Sequence, residues 1–110
     1  MITQAKGKHL RVSPMKIRRI IDLIRGKDVS TSLAVLSHLG QNTSKIIYKV
    51  LSSAVNNAKQ KGLSEDQLYI SKIIADQGPS WKRFRAATFG RATSILKRTT
   101  HLTIELELKT

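Results

Sequence analysis

Residues 78–101, GPSWKRFRAATFGRATSILKRTTH, gather the groups in this sequence best suited to holding a polyanion. Lys82, Arg83, Arg85, Arg91, Lys97 and Arg98 stand beside Trp81, Phe84 and Phe89, with no carboxylate among them. Guanidinium and ammonium groups pair with phosphates, and aromatic faces meet bases or sugars. A second cationic zone opens the chain, where Lys6, Lys8, Arg11, Lys16, Arg18, Arg19, Arg25 and Lys27 face Asp22 alone. Acid/base chemistry has much weaker support. His9, His38 and His101 are the residue type for a ribonuclease-like pair, one imidazole removing a proton and another supplying one, but they share no defined spacing. The carboxylates are too scattered for a metal or glycosidase site, so no catalytic, metal or cofactor-binding residue is assigned.

The whole composition points the same way. Twenty Lys and Arg against seven Asp and Glu give a formal charge of +13 and a pI near 10.7, which repels itself in a compact state unless a polyanion is the habitual partner. Nucleic acid leads. A length of 110 residues with 40% apolar content supports one domain, 1–110, with a modest core. Without cysteine there is no disulfide framework and no Cys-ligated zinc. No apolar run approaches the roughly 18 residues of a membrane span, and the N-terminus lacks a signal-peptide core; a soluble, intracellular protein is expected.

The elements that must position these groups follow from punctuation and period. Ser13 as N-cap, Pro14 at the first helical position, Ile17, Ile20, Ile21 and Ile24 at helical spacing and Gly26 as stop predict a first helix. A short second helix, capped by Ser30 or Thr31, turns Leu33, Leu36 and Leu39 inward and ends at Gly40. The third runs from Thr43 or Ser44 to Gly62 and buries Ile47, Val50, Leu51, Ala54, Val55 and Ala58. LYISKIIAD is rich in β-branched residues, HLTIELELK alternates strictly, and ITQAKGKHLRV is extended by exclusion. The expected class is α+β: three helices packed on a small antiparallel sheet.

The basic segment joins the two C-terminal strands. Structureless loops beyond about 12 to 15 residues are uncommon in compact domains, so a long protruding β-hairpin over about 78–98 is expected, with Gly90, Ala86 and Ala87 near its tip. Arms of roughly ten residues at ~3.3 Å each project on the order of 30 Å. Strand alternation separates Trp81, Arg83 and Arg85 from Lys82 and Phe84, leaving neither face suited to an apolar core. An isolated two-stranded ribbon is marginal in water, so the ribbon is expected to order on its partner. Bland alternatives exist: the helix cations as a solvated face, Trp81 and Phe84 closing over the sheet end, and Phe89 packing within the tip.

SPMKIRRIIDLIRGK, VLSSAVNNAKQKG, DQGPSWKRF and GRATSILKRTTHLTIEL together resemble the large-subunit ribosomal protein 22 family, in its bacterial or organellar form. The resemblance covers nearly the whole chain. Ser-Pro-x-Lys-x-Arg, Ile-Arg-Gly-Lys, Gly-Pro-x-x-Lys-Arg, Gly-Arg-Ala and Lys-Arg-Thr-x-His appear in the family's order. It implies a non-enzymatic structural constituent of the large ribosomal subunit that binds 23S-type rRNA, aids subunit assembly and is cytoplasmic within bacterial, or else organellar, ribosomes. The implied rRNA-binding set is Lys6, Lys8, Arg11, Ser13, Lys16, Arg18, Arg19, Arg25, Lys27, Lys82, Arg83, Arg85, Arg91, Lys97, Arg98 and His101. The body is expected near the nascent-chain exit, beside neighbouring large-subunit proteins, as a monomer within the ribosome and with no membrane contact. The hairpin is expected to line the polypeptide exit tunnel and meet the nascent polypeptide, through Trp81, Lys82, Arg83, Phe84, Ala87, Thr88, Phe89, Gly90 and Arg91. Trp81, Lys82 and Arg83 take the place of a Met-Lys-Arg-type triplet. Ala86, Ala87, Thr88 and Phe89 depart from the family's usual Pro-Arg-Ala followed by a variable, often basic residue. The competing readings are an architectural DNA-binding protein with a basic β-arm, Phe89 serving as its wedge, and a small nuclease.

Overall fold

The structure, a computed structural model, describes residues 3–77, 81–86, 92–97 and 99–109, with the backbone alone for 81–86 and 92–97 and without the His9 side chain. Strand β1 (Thr3–Leu10) leads to helices α1 (Pro14–Ile24), α2 (Val29–Leu39) and α3 (Asn42–Gln60). A 3-10 turn at Glu65–Gln67 then precedes β2 (Leu68–Gln77), β3 (Trp81–Ala86), β4 (Ala92–Lys97) and β5 (Thr100–Leu108). The class is α+β, as expected. One sheet has the order β1-β5-β2, antiparallel throughout, and β3 pairs with β4 in a separate two-stranded ribbon.

Strict alternation in β5 sets the layers. Thr100, Leu102, Ile104 and Leu106 are buried on the helix side while the intervening residues face outward, the period-two signature of a half-covered sheet. Ile17, Ile21 and Ile24 of α1 and Ile47, Leu51, Ala54 and Ala58 of α3 close over them. Strand β2 breaks the alternation, because the register slips between Ile70 and Lys72. Ser71 is the extra residue of this bulge and donates its hydroxyl to the Glu105 carbonyl at 3.1 Å. The slip lets Leu68, Ile70, Ile73 and Ala75 all reach the core; without it, a segment of this sequence would turn part of its apolar set to water.

Helix starts differ from the sequence reading. Helix α2 is capped at Asp28, not at Ser30 or Thr31. Val29 is fully buried, which draws it into the first turn, while the Ser32 hydroxyl bonds the Asp28 carbonyl at 2.8 Å. Its inward face is Val29, Ser32 and Leu36, with Leu33 and Leu39 only partly covered. Helix α3 begins at Asn42, because Ser44 is buried and back-bonds the Gln41 carbonyl at 2.7 Å instead of capping. Its end follows the expected chemistry: Gly62 has φ +84°, its N–H bonds Lys59 O at 3.0 Å and Leu63 N–H bonds Ala58 O at 3.1 Å. That paired arrangement satisfies the last carbonyls of the helix and needs a left-handed residue. Ser13 occupies the N-cap position of α1, but only its carbonyl, not its hydroxyl, takes part.

Gly7 lies where β1 meets α3. A Cβ there would sit 2.8 Å from Val50 Cγ2 and 3.1 Å from Leu10 Cδ1, and a β-branched valine on a helix has little rotamer freedom to retreat. Gly7→Ala is therefore expected to lower unfolding stability by about 1–3 kcal/mol through overpacking. Urea titration followed by circular dichroism checks it; an unchanged midpoint would mean the β1–α3 contact is looser than these distances.

Candidate nucleic-acid interface

The stretch around Arg11 and Lys16 and the two ends of the ribbon, far apart in sequence, meet at one end of the sheet. The row Leu10–Thr100–Gln77 is the last paired register of β1, β5 and β2, and the ribbon leaves the sheet between Gln77 and Thr100. Thr100 is fully buried and donates its hydroxyl to the Val12 carbonyl. This bond pins the returning arm of the hairpin to the segment entering α1. Arg11 and Ser13 flank Val12, Lys16 stands in the first turn of α1, and His101 sits opposite Asp76 one step inside the row. Arg11, Lys16 and Arg19 are exposed.

Helix α1 then runs along the outer edge of β2. The Arg18 guanidinium donates to the Ala75 carbonyl at 2.9 Å and Arg25 donates to the Ile73 carbonyl at 2.8 Å. Further on, the Ile70 N–H reaches the Lys27 carbonyl at 3.0 Å and Asp28 bridges to Tyr69. Two arginines thus seal carbonyls that an edge strand would leave open to another chain. A guanidinium has five N–H donors, so each retains donors for a phosphate. Arg25 also lies 3.6 Å from Asp22, but both are well exposed, at 51% and 70%, where an ion pair contributes little.

Asp28, Glu65 and Glu107 lie toward the other end. Glu65 accepts from the Ser30 hydroxyl at 3.3 Å, Asp28 pairs with Lys109 at 3.2 Å, and Glu107 faces Tyr69 across β5 and β2. The Tyr69 hydroxyl donates to Glu107 at 3.2 Å; this bond and the negative charge behind it raise the phenol's pKa above its usual value. Three of the acids thus lie away from the hairpin root, while Asp76, opposite His101, lies beside it.

The ribbon's backbone is in strand register, from Trp81 opposite Lys97 to Ala86 opposite Ala92. This places Trp81, Lys82, Arg83, Phe84 and Arg85 on the outgoing arm and Lys97 on the return. Ala87, Thr88, Phe89, Gly90, Arg91 and Arg98, and with them the expected tip, lie outside the described residues. Among the described residues no group of three His, Cys, Asp or Glu is placed to hold a metal ion, and no helix is long and apolar enough to cross a membrane. His38 closes α2 while His101 lies on β5, so the histidines described belong to separate elements. Periodicity marked α3 as a core helix, and its outward lysines were missed. Lys45, Lys49, Lys59 and Lys61 occur between residues 42 and 62 without one Asp or Glu, a signal visible only when charge is counted on the polar face.

Residues 5–107 match the family described as Ribosomal protein L22p/L17e. The chain belongs to this family. Among its relatives is the large ribosomal subunit protein uL22 of Desulfatibacillum aliphaticivorans, 48% identical over 107 residues, covering 97% of this chain and 99% of the relative. The protein of the same name from Halothermothrix orenii is 46% identical over 110 residues, 99% and 97% of the two chains. That from a Sulfurihydrogenibium species is 46% identical over 102 residues, 93% and 88%. As a member of the L22p/L17e family the protein is a ribosomal structural component and not an enzyme, which removes the nuclease reading of its histidines.

The L22p/L17e cations divide by what they already hold. All three arginines of α1 and its C-cap are exposed, but Arg18 and Arg25 fasten α1 to β2 through the Ala75 and Ile73 carbonyls, whereas Arg19 does not. Arg18→Ala and Arg25→Ala are each expected to lower stability by about 1 kcal/mol, the loss of a partly exposed charge-assisted bond. Arg19→Ala stays within about 0.5 kcal/mol of the parent. Thermal unfolding of the three variants checks this; equal effects at all three positions would contradict the fastening role.

Proposed function

We propose that this ribosomal protein ties together segments of large-subunit rRNA. The observation that carries the reading is the convergence of the Arg11–Lys16 segment and the ribbon at the hairpin root, with Asp28, Glu65 and Glu107 at the opposite end. Phosphates of a folded RNA are neutralised at one pole, and the other pole faces away from RNA. Lys6, Lys8, Arg11, Lys16, Arg19 and Lys27, with the spare donors of Arg18 and Arg25, form the body's share; Ser13 and His101 border it. The hairpin cations Lys82, Arg83, Arg85, Arg91, Lys97 and Arg98 form the rest. Contacts of this kind read shape and backbone more than sequence.

The ribbon extends from the body and reaches into RNA, its tip lining the exit tunnel beside the nascent chain. Its pairing in a sheet of its own supports this reading. So do the dimensions, 63 × 24 × 18 Å with a radius of gyration of 16.9 Å, against about 13 Å for a compact chain of this length. The protein acts as one copy per subunit among neighbouring ribosomal proteins in bacterial-type ribosomes.

Affinity for a large-subunit rRNA fragment is expected to fall by about 10³-fold or more between 50 and 200 mM salt, as for proteins making several phosphate contacts. It should exceed affinity for duplex DNA of equal length at each salt concentration. Replacing residues 80–96 by a short Gly-Ser linker should leave the body folded, since Gln77 and Thr100 already pair, while weakening rRNA binding and lowering the salt slope. Filter binding and circular dichroism test both. A salt-independent affinity, a preference for duplex DNA, or an unfolded body in the linker variant would each refute the reading.

A further inference from the structure

A site outside both cationic zones lies where α2 turns into α3. Leu36, Ser37, Gly40, Lys45, Tyr48 and Lys49 line an open groove of about 350 Å³ whose surface is mainly apolar. The turn is built by Gly40, at φ +65°, which folds the end of α2 back against the start of α3. Leu36, only 1% exposed, forms the floor, and the Tyr48 ring, 37% exposed, forms a wall. Lys45 and Lys49 lie three residues before and one after Tyr48. On a helix the spacing of three or four residues places neighbours on one face, so Lys45 stands beside both Tyr48 and Lys49. No carboxylate lines the groove.

We propose that this groove receives an unstacked nucleotide from a single-stranded RNA segment. The base lies against Tyr48 and Leu36, and the adjoining phosphates meet Lys45 and Lys49. The proposal rests on the rRNA-binding reading and adds to it a third contact, on a different face of the fold. Three features select this occupant. The lysines without a counter-carboxylate call for an anion. The exposed aromatic wall suits a π-face, and stacking of this kind is tolerant of base identity, matching a lining with few groups to read a base edge. The groove is also open, which fits a flat ligand, whereas an apolar side chain of a protein partner anchors best in a deep, fully desolvated pocket.

The test is NMR of the full chain, with the Tyr48 ring and Leu36 methyl signals followed during titration with hexauridylate. Parallel titrations use inorganic polyphosphate and an acidic peptide containing leucine. Saturable shifts of both groups with hexauridylate, absent with the other two, are expected. Tyr48→Leu, which keeps apolar cover, should weaken the groove's response about tenfold, the loss of one stacked base. Lys45→Gln with Lys49→Gln should weaken it and reduce its salt dependence, providing a second variant if the first disturbs the fold. A response at Arg11 and Lys16 with none in the groove overturns this proposal and leaves the general rRNA reading standing. Equal shifts with polyphosphate, a stronger response to the peptide, or an unaltered response in both variants overturns it as well. Silence at the groove, Arg11 and Lys16 alike overturns both readings.

Discussion

Strand β5 is hydrogen-bonded along both edges, to β1 on one side and β2 on the other, and each larger feature of the molecule depends on that placement. Its inward residues Leu102, Ile104 and Leu106 are fully buried in the core they share with α1 and α3. Its first residue, Thr100, joins the end of β1, the end of β2 and the approach to α1 in one buried position. A two-stranded ribbon gains little stability alone in water. The connection that carries the ribbon starts and ends on two neighbouring, paired strands of a packed sheet.

The same root solves an electrostatic problem. A formal charge of +13 on 110 residues opposes compaction, yet the core is continuous and its largest side chains are fully buried. The cations described on α1 and α3 stand on their outward faces, where water screens them. Asp28, Glu65 and Glu107 are engaged at the far end, by Lys109, Ser30 and Tyr69, which leaves Asp22 and Asp76 as the carboxylates nearest the hairpin root. Arg18 and Arg25 show the economy of the arrangement, since one guanidinium closes a strand edge with some of its donors and still presents positive charge outside. Lysine could not substitute equally, because its donors radiate from one point and do not form a planar fork.

Much of this architecture was legible in the chain itself, for identifiable reasons. The four isoleucines of α1, spaced to one helical face after Ser-Pro, and the alternation of β5 are local patterns, and local geometry alone decides them. The helix caps are less legible. Ser30, Thr31, Thr43 and Ser44 are sound N-cap residues by type, but Val29 and Ser44 are drawn inward by tertiary burial, and an apolar neighbour's pull on a helix start has no local signature. The bulge at Ser71 was equally hidden, since a run of β-branched residues looks the same with or without a slipped register.

Sequence by itself determined the α+β class, the periods of the helices and the last strand, the cationic excess and the hairpin's place between two strands, because each is a property of near neighbours or of a sum over the chain. Tertiary structure alone decided that Lys16 and the ribbon share one pole, that Asp28, Glu65 and Glu107 share the other, that two arginines seal β2, and that Tyr48 meets Leu36 across a turn. Those are juxtapositions across tens of residues, fixed by strand order and helix packing, and no spacing along the chain encodes them.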